Sequence, residues 1–188
     1  MAHGQADPSI WVARFAPLVP PGEVLDLACG AGRHARLFAA RGHSVLALDR
    51  DAAALALVGP GIVTMQCDLE DGITAWPFGQ ARFAGIVVTN YLHRPLFTKL
   101  AHSLAPGGVL IYETFAIGNE AYGKPSNPAF LLAEGELLAK AASCGLRVLA
   151  FEDGYSADPK PAMVQRLCAV GPEFPRAKAW IGSDSSQE

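Results

Sequence analysis

Short, almost wholly apolar runs alternate along the chain with segments in which apolar residues recur at helical spacing. The apolar runs predict strands at 23–28, 44–49, 61–68, 83–90, 107–115, 146–153 and 162–170. The amphipathic segments predict helices at 9–18, 32–41, 51–58, 94–104 and 134–143. A strand that is apolar on both faces, such as 83–90, is typical of a parallel sheet covered by helices on each side.

The order of these elements predicts an α/β fold: a single-domain, Rossmann-like, doubly wound sheet of seven strands. No helical segment separates the last two strands, so the seventh is expected to run antiparallel. Ligands bind such sheets at the carboxyl ends of the strands. We expect residues 21–172 to form this domain, after an N-terminal helical lead at 1–20 and before a polar C-terminal tail at 173–188.

Composition narrows the possible partners. The 188 residues are 51% hydrophobic and 18% charged, which suffices for one packed core. The net charge is −3 and no cluster of Lys and Arg stands out, which argues against a nucleic-acid partner. No apolar run is long enough to span a membrane, and the N-terminus lacks the apolar core of a signal peptide, so the cytoplasm is the expected location. The cysteines form no C-x-x-C pair and the histidines add no zinc spacing, so no metal site is expected.

The turn after the first strand, Gly30-Ala31-Gly32-Arg33-His34-Ala35, fits the G-x-G-x-x-G/A pattern of dinucleotide-binding folds. Asp49 follows Gly30 by 19 residues, roughly the spacing at which a carboxylate binds ribose hydroxyls. On its own, this pattern is compatible with NAD. An NAD-dependent oxidoreductase is therefore one hypothesis that the turn leaves open.

Three features favour a sulfur nucleotide over a dinucleotide. Asp26 lies inside the first strand, where an ionised carboxylate suits an ammonium or sulfonium ligand and opposes a pyrophosphate. Asp68 closes the third strand, where it can accept a hydrogen bond from an adenine amino group while the Leu69 amide donates to the ring. The chain is also short for a dehydrogenase with a substrate domain, and it lacks a Tyr-x-x-x-Lys pair.

Five segments resemble the class I S-adenosylmethionine-dependent methyltransferases: VLDLACGAGRHA, VLALDRD, QCDLED, IVVTNYLHRP and LAPGGVLIYET. They cover residues 22–115 in the order that the family has. Within the family, the segment DLACGAGRHARLFAARGHSVLALDRD is similar to small bacterial tellurite-resistance and thiol methyltransferases. The resemblance implies S-adenosyl-L-methionine as cofactor and in-line methyl transfer to a small-molecule acceptor, with 21–172 as the methyltransferase domain.

The resemblance also implies which residues bind the methionine part of the cofactor. Asp26 and the backbone from Ala28 to Gly30 would hold it, and Gly32 would allow its close approach. Arg33 would meet the methionine carboxylate. Asn90, at the end of the fourth strand, would offer its carbonyl to the amino group.

At the adenosine end, the resemblance assigns Asp49 to the ribose diol and places Arg50 near the adenine. Asp68 and Leu69 would recognise the adenine by hydrogen bonds. Each aspartate has a structural alternative: Asp49 as the cap of the following helix, and Asp68 as the cap of a turn.

The acceptor side is less constrained. Tyr91 and His93 are the candidates for lining the substrate pocket and for a general base; alternatively, Tyr91 packs beneath the adenosine and His93 caps the next helix. The loop at 113–130 is long enough to cover the pocket, or it is a solvated connector. A module that binds S-adenosylmethionine without transferring its methyl group is a further hypothesis. The oligomeric state is not indicated.

Overall fold

A computed structural model describes residues 6–179, and within them seven strands form one mixed sheet. The strands are β1 (Glu23–Leu27), β2 (Ser44–Asp49), β3 (Val63–Gln66), β4 (Phe83–Thr89), β5 (Leu104–Phe115), β6 (Arg147–Ser156) and β7 (Ala162–Val170). Their order across the sheet is β3-β2-β1-β4-β5-β7-β6. The neighbours from β3 to β5 pair in parallel, whereas β7 is antiparallel to both β5 and β6. The predicted Rossmann-like sheet with an antiparallel seventh strand is confirmed.

The helices connect the strands and cover the sheet. They are α1 (Ile10–Phe15), α2 (Arg33–Ala40), α3 (Ala52–Leu55), α4 (Phe97–Ser103) and α5 (Glu136–Ser143). Hydrophobic clusters lie on both faces of the sheet, and every residue of β4 is buried. In the part of the chain that the structure describes, no helix is long and apolar enough to cross a membrane.

Element boundaries differ from the predicted ones where packing is weak. β3 is shorter than the predicted 61–68 because it is an edge strand that pairs only with β2 and is largely exposed. α3 has four residues, where 51–58 was predicted, because the chain turns towards Gly59-Pro60. β5 begins at Leu104, which pairs with Phe83.

The two ends of the described chain pack on the domain. The indole N–H of Trp11 in α1 donates a hydrogen bond to the Leu167 carbonyl of β7, 3.2 Å away. Phe174 is buried, although it belongs to the segment predicted as a polar tail. The remainder of that predicted tail, 180–188, lies outside the described residues.

The turn between β1 and α2 requires glycine for two different reasons. Gly30 and Gly32 have φ values of +53° and +75°, a region that other residues rarely adopt. A Cβ at position 30 would meet open space, but a Cβ at position 32 would lie 2.9 Å from Cγ1 of Val58. Gly32 therefore permits the close approach of Val58.

Substitution of Gly32 by alanine is expected to destabilise the fold more than the same change at Gly42. Both glycines have positive φ, which costs about 1–2 kcal/mol for alanine, but only position 32 is also overpacked, which adds about 1–3 kcal/mol. Urea denaturation of Gly32→Ala and Gly42→Ala measures the difference. The double variant Gly32→Ala/Val58→Ala is expected to cost less than the sum of its two single changes, and strict additivity would contradict the clash.

Candidate functional site

A cavity of about 450 Å³ lies at the carboxyl ends of β1 to β5, where the loops that follow these strands converge. Seven of the predicted site residues lie on its wall: Ala28, Asp49, Arg50, Asp68, Leu69, Asn90 and Tyr91. The other five do not line it: Asp26, Gly30, Gly32, Arg33 and His93. The sheet thus brings residues from positions 28 to 91 into one site, as strand-end positions in a parallel sheet predict.

Asp49 joins two of the turns that form the cavity. Its Oδ2 accepts a hydrogen bond from the Gly30 N–H at 2.7 Å, and its Oδ1 accepts one from the Asp51 N–H at 2.9 Å. Asp51, not Asp49, is the N-cap of α3, because its own carboxylate accepts from the first amides of that helix. Each Asp49 oxygen retains a lone pair for a further donor, which suits the ribose diol.

Asp68 lies at the same edge of the site, after β3. Its Oδ1 accepts a hydrogen bond from the Glu70 N–H at 2.9 Å, so the predicted turn-capping bond is present. Oδ2 of Asp68 has no hydrogen bond among the described residues. The capping bond and a ligand contact are therefore compatible in the same carboxylate.

Asp26 is buried beneath the glycine turn, with 1% of its surface exposed. Its Oδ2 accepts a hydrogen bond from the Ala35 N–H of α2 at 2.8 Å, while its buried Oδ1 has no partner within residues 6–179. Burial raises the pKa of this carboxyl from 3.8 to about 7. An orphaned buried acceptor of this kind fits a ligand that brings a cationic donor.

His34 is buried and connects three segments. Its Nε2 accepts a hydrogen bond from the Ser9 N–H at 3.1 Å, and its Nδ1 lies 3.4 Å from the Thr89 hydroxyl at the end of β4. Burial lowers its pKa from 6.5 to about 3, so the imidazole is neutral. Its signal in the sequence is its position one helical turn before Phe38, on the buried face of α2.

Tyr91 and His93 differ in their relation to the cavity. Tyr91 is half-buried on the wall, and its pKa lies above the ordinary value because of burial and because the Glu70 carboxylate faces the phenol. The phenol therefore stays protonated at neutral pH and is unsuited to act as a base. His93 stands at the N-cap position of the turn at 94–96, but its side chain makes no capping bond.

Several wall residues were missed by sequence reasoning. Glu70 is the second acid of the segment CDLED, two positions after Asp68. Phe115, Pro125 and Phe130 reach the cavity from the loop predicted to cover it. Together with Thr114, these apolar and aromatic residues are the part of the predicted loop that lines the cavity.

Comparison with known proteins points to one family. Residues 24–108 match a family model described as a methyltransferase domain. The chain is 34% identical over 106 residues to a protein-L-isoaspartate O-methyltransferase from Chlorobaculum tepidum, which covers 54% of this chain and 49% of that protein. It is 32% identical over 149 residues to a trans-aconitate 2-methyltransferase from Methylobacterium nodulans. That alignment covers 73% of this chain and 55% of that protein. The chain spans about half the length of these curated relatives.

The fold is similar to that of TehB from Haemophilus influenzae, with a TM-score of 0.70 and 19% identity over 85% of this chain and 61% of that chain. Other solved proteins of this fold are described as S-adenosylmethionine-dependent methyltransferases. The predicted resemblance to the tellurite-resistance type is confirmed at the level of the fold.

A cavity at the strand ends that is lined by Asp49, Asp68 and Glu70, with Asp49 hydrogen-bonded to the glycine turn, is typical of Rossmann-like nucleotide-binding domains. The match over 24–108 specifies it further: this part of the chain is similar to a methyltransferase domain. A solved protein of the same fold is described as dependent on S-adenosylmethionine. The site fits S-adenosylmethionine, because carboxylates follow two neighbouring strands and because Oδ1 of Asp26 is an unsatisfied acceptor near the glycine turn.

The Asp26→Asn variant is expected to gain stability relative to the wild type as the pH rises. The folded pKa of about 7 lies above the unfolded value, so the native state holds the proton more tightly, and the wild type loses stability between pH 4 and 7. From pH 5 to pH 8, this difference amounts to roughly 2–3 kcal/mol.

Urea denaturation of both proteins at pH 5 and pH 8, without cofactor, measures the effect. His34 is present in both proteins, so its opposite contribution, a loss of stability as the pH falls from 6.5 towards 3, cancels in the comparison. Parallel pH profiles of the two proteins would contradict the shifted pKa of Asp26.

Proposed function

We propose that this protein is an S-adenosylmethionine-dependent methyltransferase that acts on a small-molecule acceptor. The observation that carries the proposal is the placement of Asp49 and Asp68 on one cavity wall, with Asp49 bonded to the glycine turn. The cavity volume of about 450 Å³ is within the range of small-molecule sites, which supports an acceptor of modest size.

In this proposal, the cofactor lies across the carboxyl ends of β3, β2, β1 and β4. Asp49 accepts the ribose hydroxyls, with Arg50 beside the adenine, and Asp68 and Leu69 contact the adenine edge. Ala28 and Asn90 border the methionine part, and both have backbone conformations in the left-handed region, with φ values of +54° and +55°. This conformation turns their peptide groups away from the strand direction, which supports contact through the backbone.

Three further residues are proposed to act on the methionine part from outside the wall. Asp26 compensates the positive amino group, directly or through water, with its unpaired Oδ1. Gly30 leaves open space where a side chain would otherwise stand. Arg33 is the cation at the start of α2 that can meet the methionine carboxylate, although its guanidinium also donates to the Asp7 carbonyl at 3.4 Å.

For methyl transfer, the main task of the protein is to position the acceptor. S-adenosylmethionine supplies a methyl group on a sulfonium, which is a good leaving group. The wall residues hold the acceptor in line with that methyl group, about 3 Å from its carbon, and exclude water. Because the Tyr91 phenol stays protonated, it orients the acceptor by a hydrogen bond and does not remove a proton. His93 does not line the cavity, so its proposed role is limited to the conformation of the loop after β4.

The alternatives have less support. The comparisons favour no dinucleotide-dependent oxidoreductase, and the buried Asp26 opposes a pyrophosphate. The curated relatives are named for a protein substrate and for trans-aconitate, so they do not agree on one acceptor. A cofactor-binding module without activity would not need a wall that continues past Asn90 to Phe115 and Phe130.

Asp49→Ala is expected to weaken binding of S-adenosylhomocysteine by about 10- to 100-fold, because it removes charge-assisted hydrogen bonds to the ribose and the bond that holds the glycine turn. Isothermal titration with S-adenosylmethionine, S-adenosylhomocysteine and NAD measures this. Asp51→Ala is the matched control, since it removes a nearby carboxylate that does not line the cavity. Tight NAD binding without a response to the sulfur nucleotides would overturn the proposal.

A further inference from the structure

The strand order divides the cavity wall into two halves with different chemistry. Loops after β3, β2 and β1 form one half, which carries the charged residues Asp49, Arg50, Asp68 and Glu70. Loops after β4 and β5, with the chain around 125–130, form the other half. Since the cofactor is assigned to the first half and to Asn90, the second half is left for the acceptor.

None of the described residues that line the acceptor half is charged. Beyond Asn90 it consists of Tyr91, Leu92, Thr114, Phe115, Pro125 and Phe130. Three of these six residues are aromatic, and they offer broad apolar surfaces with one hydroxyl each on Tyr91 and Thr114. A wall of this composition stabilises an apolar or aromatic body by burial and offers no counter-ion.

The two arginines that contact the strand and the loop of this half, Arg94 and Arg166, are already paired. Arg94 donates to both carboxylate oxygens of Glu136, at 2.7 and 2.8 Å, and its remaining N–H groups reach two backbone carbonyls. Arg166 donates to Glu113 at 2.7 Å and to Glu152 at 3.1 Å. Neither guanidinium lines the cavity. An anionic acceptor would therefore have to break an ion pair to recruit either of these arginines.

The charges that act on the Tyr91 phenol are negative on balance. The Tyr91 phenol experiences the carboxylates of Glu70 and Asp68, which raise its pKa, and the guanidinium of Arg50, which opposes them. Two carboxylates against one guanidinium leave a net negative charge beside the acceptor position. Desolvating an anion at such a place costs free energy that nothing on the wall offsets.

We infer that the methyl acceptor is a small molecule with an apolar or aromatic body and no anionic group. This inference rests on the proposed function. In the transfer, a lone pair of the acceptor forms the new bond to the methyl carbon, the carbon–sulfur bond of the sulfonium breaks with its electron pair left on sulfur, and the acceptor's proton goes to water. Carboxylate, phosphate and oxyanion acceptors are disfavoured by the same wall.

Two probes with the same phenol ring test the inference. p-Cresol carries a methyl group at the position where 4-hydroxybenzoate carries a carboxylate. The protein is first titrated with S-adenosylhomocysteine, and the saturated complex is then titrated with each probe. We expect p-cresol to bind at least about tenfold more tightly than 4-hydroxybenzoate. If S-adenosylhomocysteine itself does not bind, the proposed function fails before the acceptor is examined, so the two failures are distinguishable.

A variant with a cation on the wall should reverse the preference. Phe130 is 46% exposed, so Phe130→Lys places an ammonium at the cavity without disturbing the core. We expect this variant to bind 4-hydroxybenzoate about tenfold more tightly than the wild type does, and p-cresol more weakly. Ile117→Lys is the control, because residue 117 is exposed in the same loop but does not line the cavity.

Three results would overturn the inference. The first is equal or tighter binding of 4-hydroxybenzoate by the wild type. The second is an equal gain in 4-hydroxybenzoate binding in both lysine variants, which would show an effect of overall charge. The third is a cofactor-product complex that binds neither ring compound, because an aromatic-walled acceptor half is expected to hold at least the uncharged one.

Discussion

The hydrogen bond from the Gly30 N–H to the Asp49 carboxylate is the contact on which the rest of the site depends. Gly30 has a φ of +53° and stands before α2, so its N–H has no place in the helix and requires another acceptor. Asp49 supplies that acceptor from the end of the neighbouring strand and holds the Asp51 amide with its other oxygen. The carboxylate that is proposed to bind the ribose is thus oriented by the backbone before a ligand arrives, which reduces the entropy lost on binding.

A second carboxylate supports the same turn from below. The N-cap of α2 is Gly32, which has no side chain to accept from the first amides of the helix. Asp26 provides the acceptor from the strand beneath, through its bond to the Ala35 N–H. Burial nevertheless favours the neutral form of this carboxyl, so the helix terminus and the solvent-free surroundings act in opposite directions. A cationic group bound near Asp26 shifts this balance towards the ionised form.

The fold and the placement of several strand-end residues around one cavity were predictable from the sequence for a common physical reason. Strands buried on both faces leave long apolar runs, and residues at the carboxyl ends of parallel strands meet at one edge, so Asp49, Asp68 and Asn90 follow from local pattern alone. Boundaries at β3 were not predictable, because an exposed edge strand lacks that apolar signal. The contacts of His34 were missed because its partners Ser9 and Thr89 lie 25 and 55 residues away.

The acceptor half could not be predicted from local sequence patterns, because contacts between residues far apart in the sequence hold it in place. Ile117 donates a backbone hydrogen bond to the Leu132 carbonyl at 2.9 Å, which closes the loop at its base. Inside the loop, the buried Asn119 donates to the Pro125 carbonyl at 3.0 Å and accepts from the Met163 N–H of β7 at 3.2 Å. Pro125 reaches the cavity through this clamp on the antiparallel strand.

The two halves therefore rest on different supports. The proposed cofactor half depends on the turns after β1, β2 and β3, whereas the proposed acceptor half depends on the loop after β4 and on the loop after β5, which is anchored to β7. A change of residue at an exposed position such as 130 alters the acceptor wall while the Asp49–Gly30 bond is untouched. In the proposed function, this separation would let the acceptor wall change without altering the cofactor wall, provided that Asn119 keeps its hydrogen bonds to Pro125 and Met163.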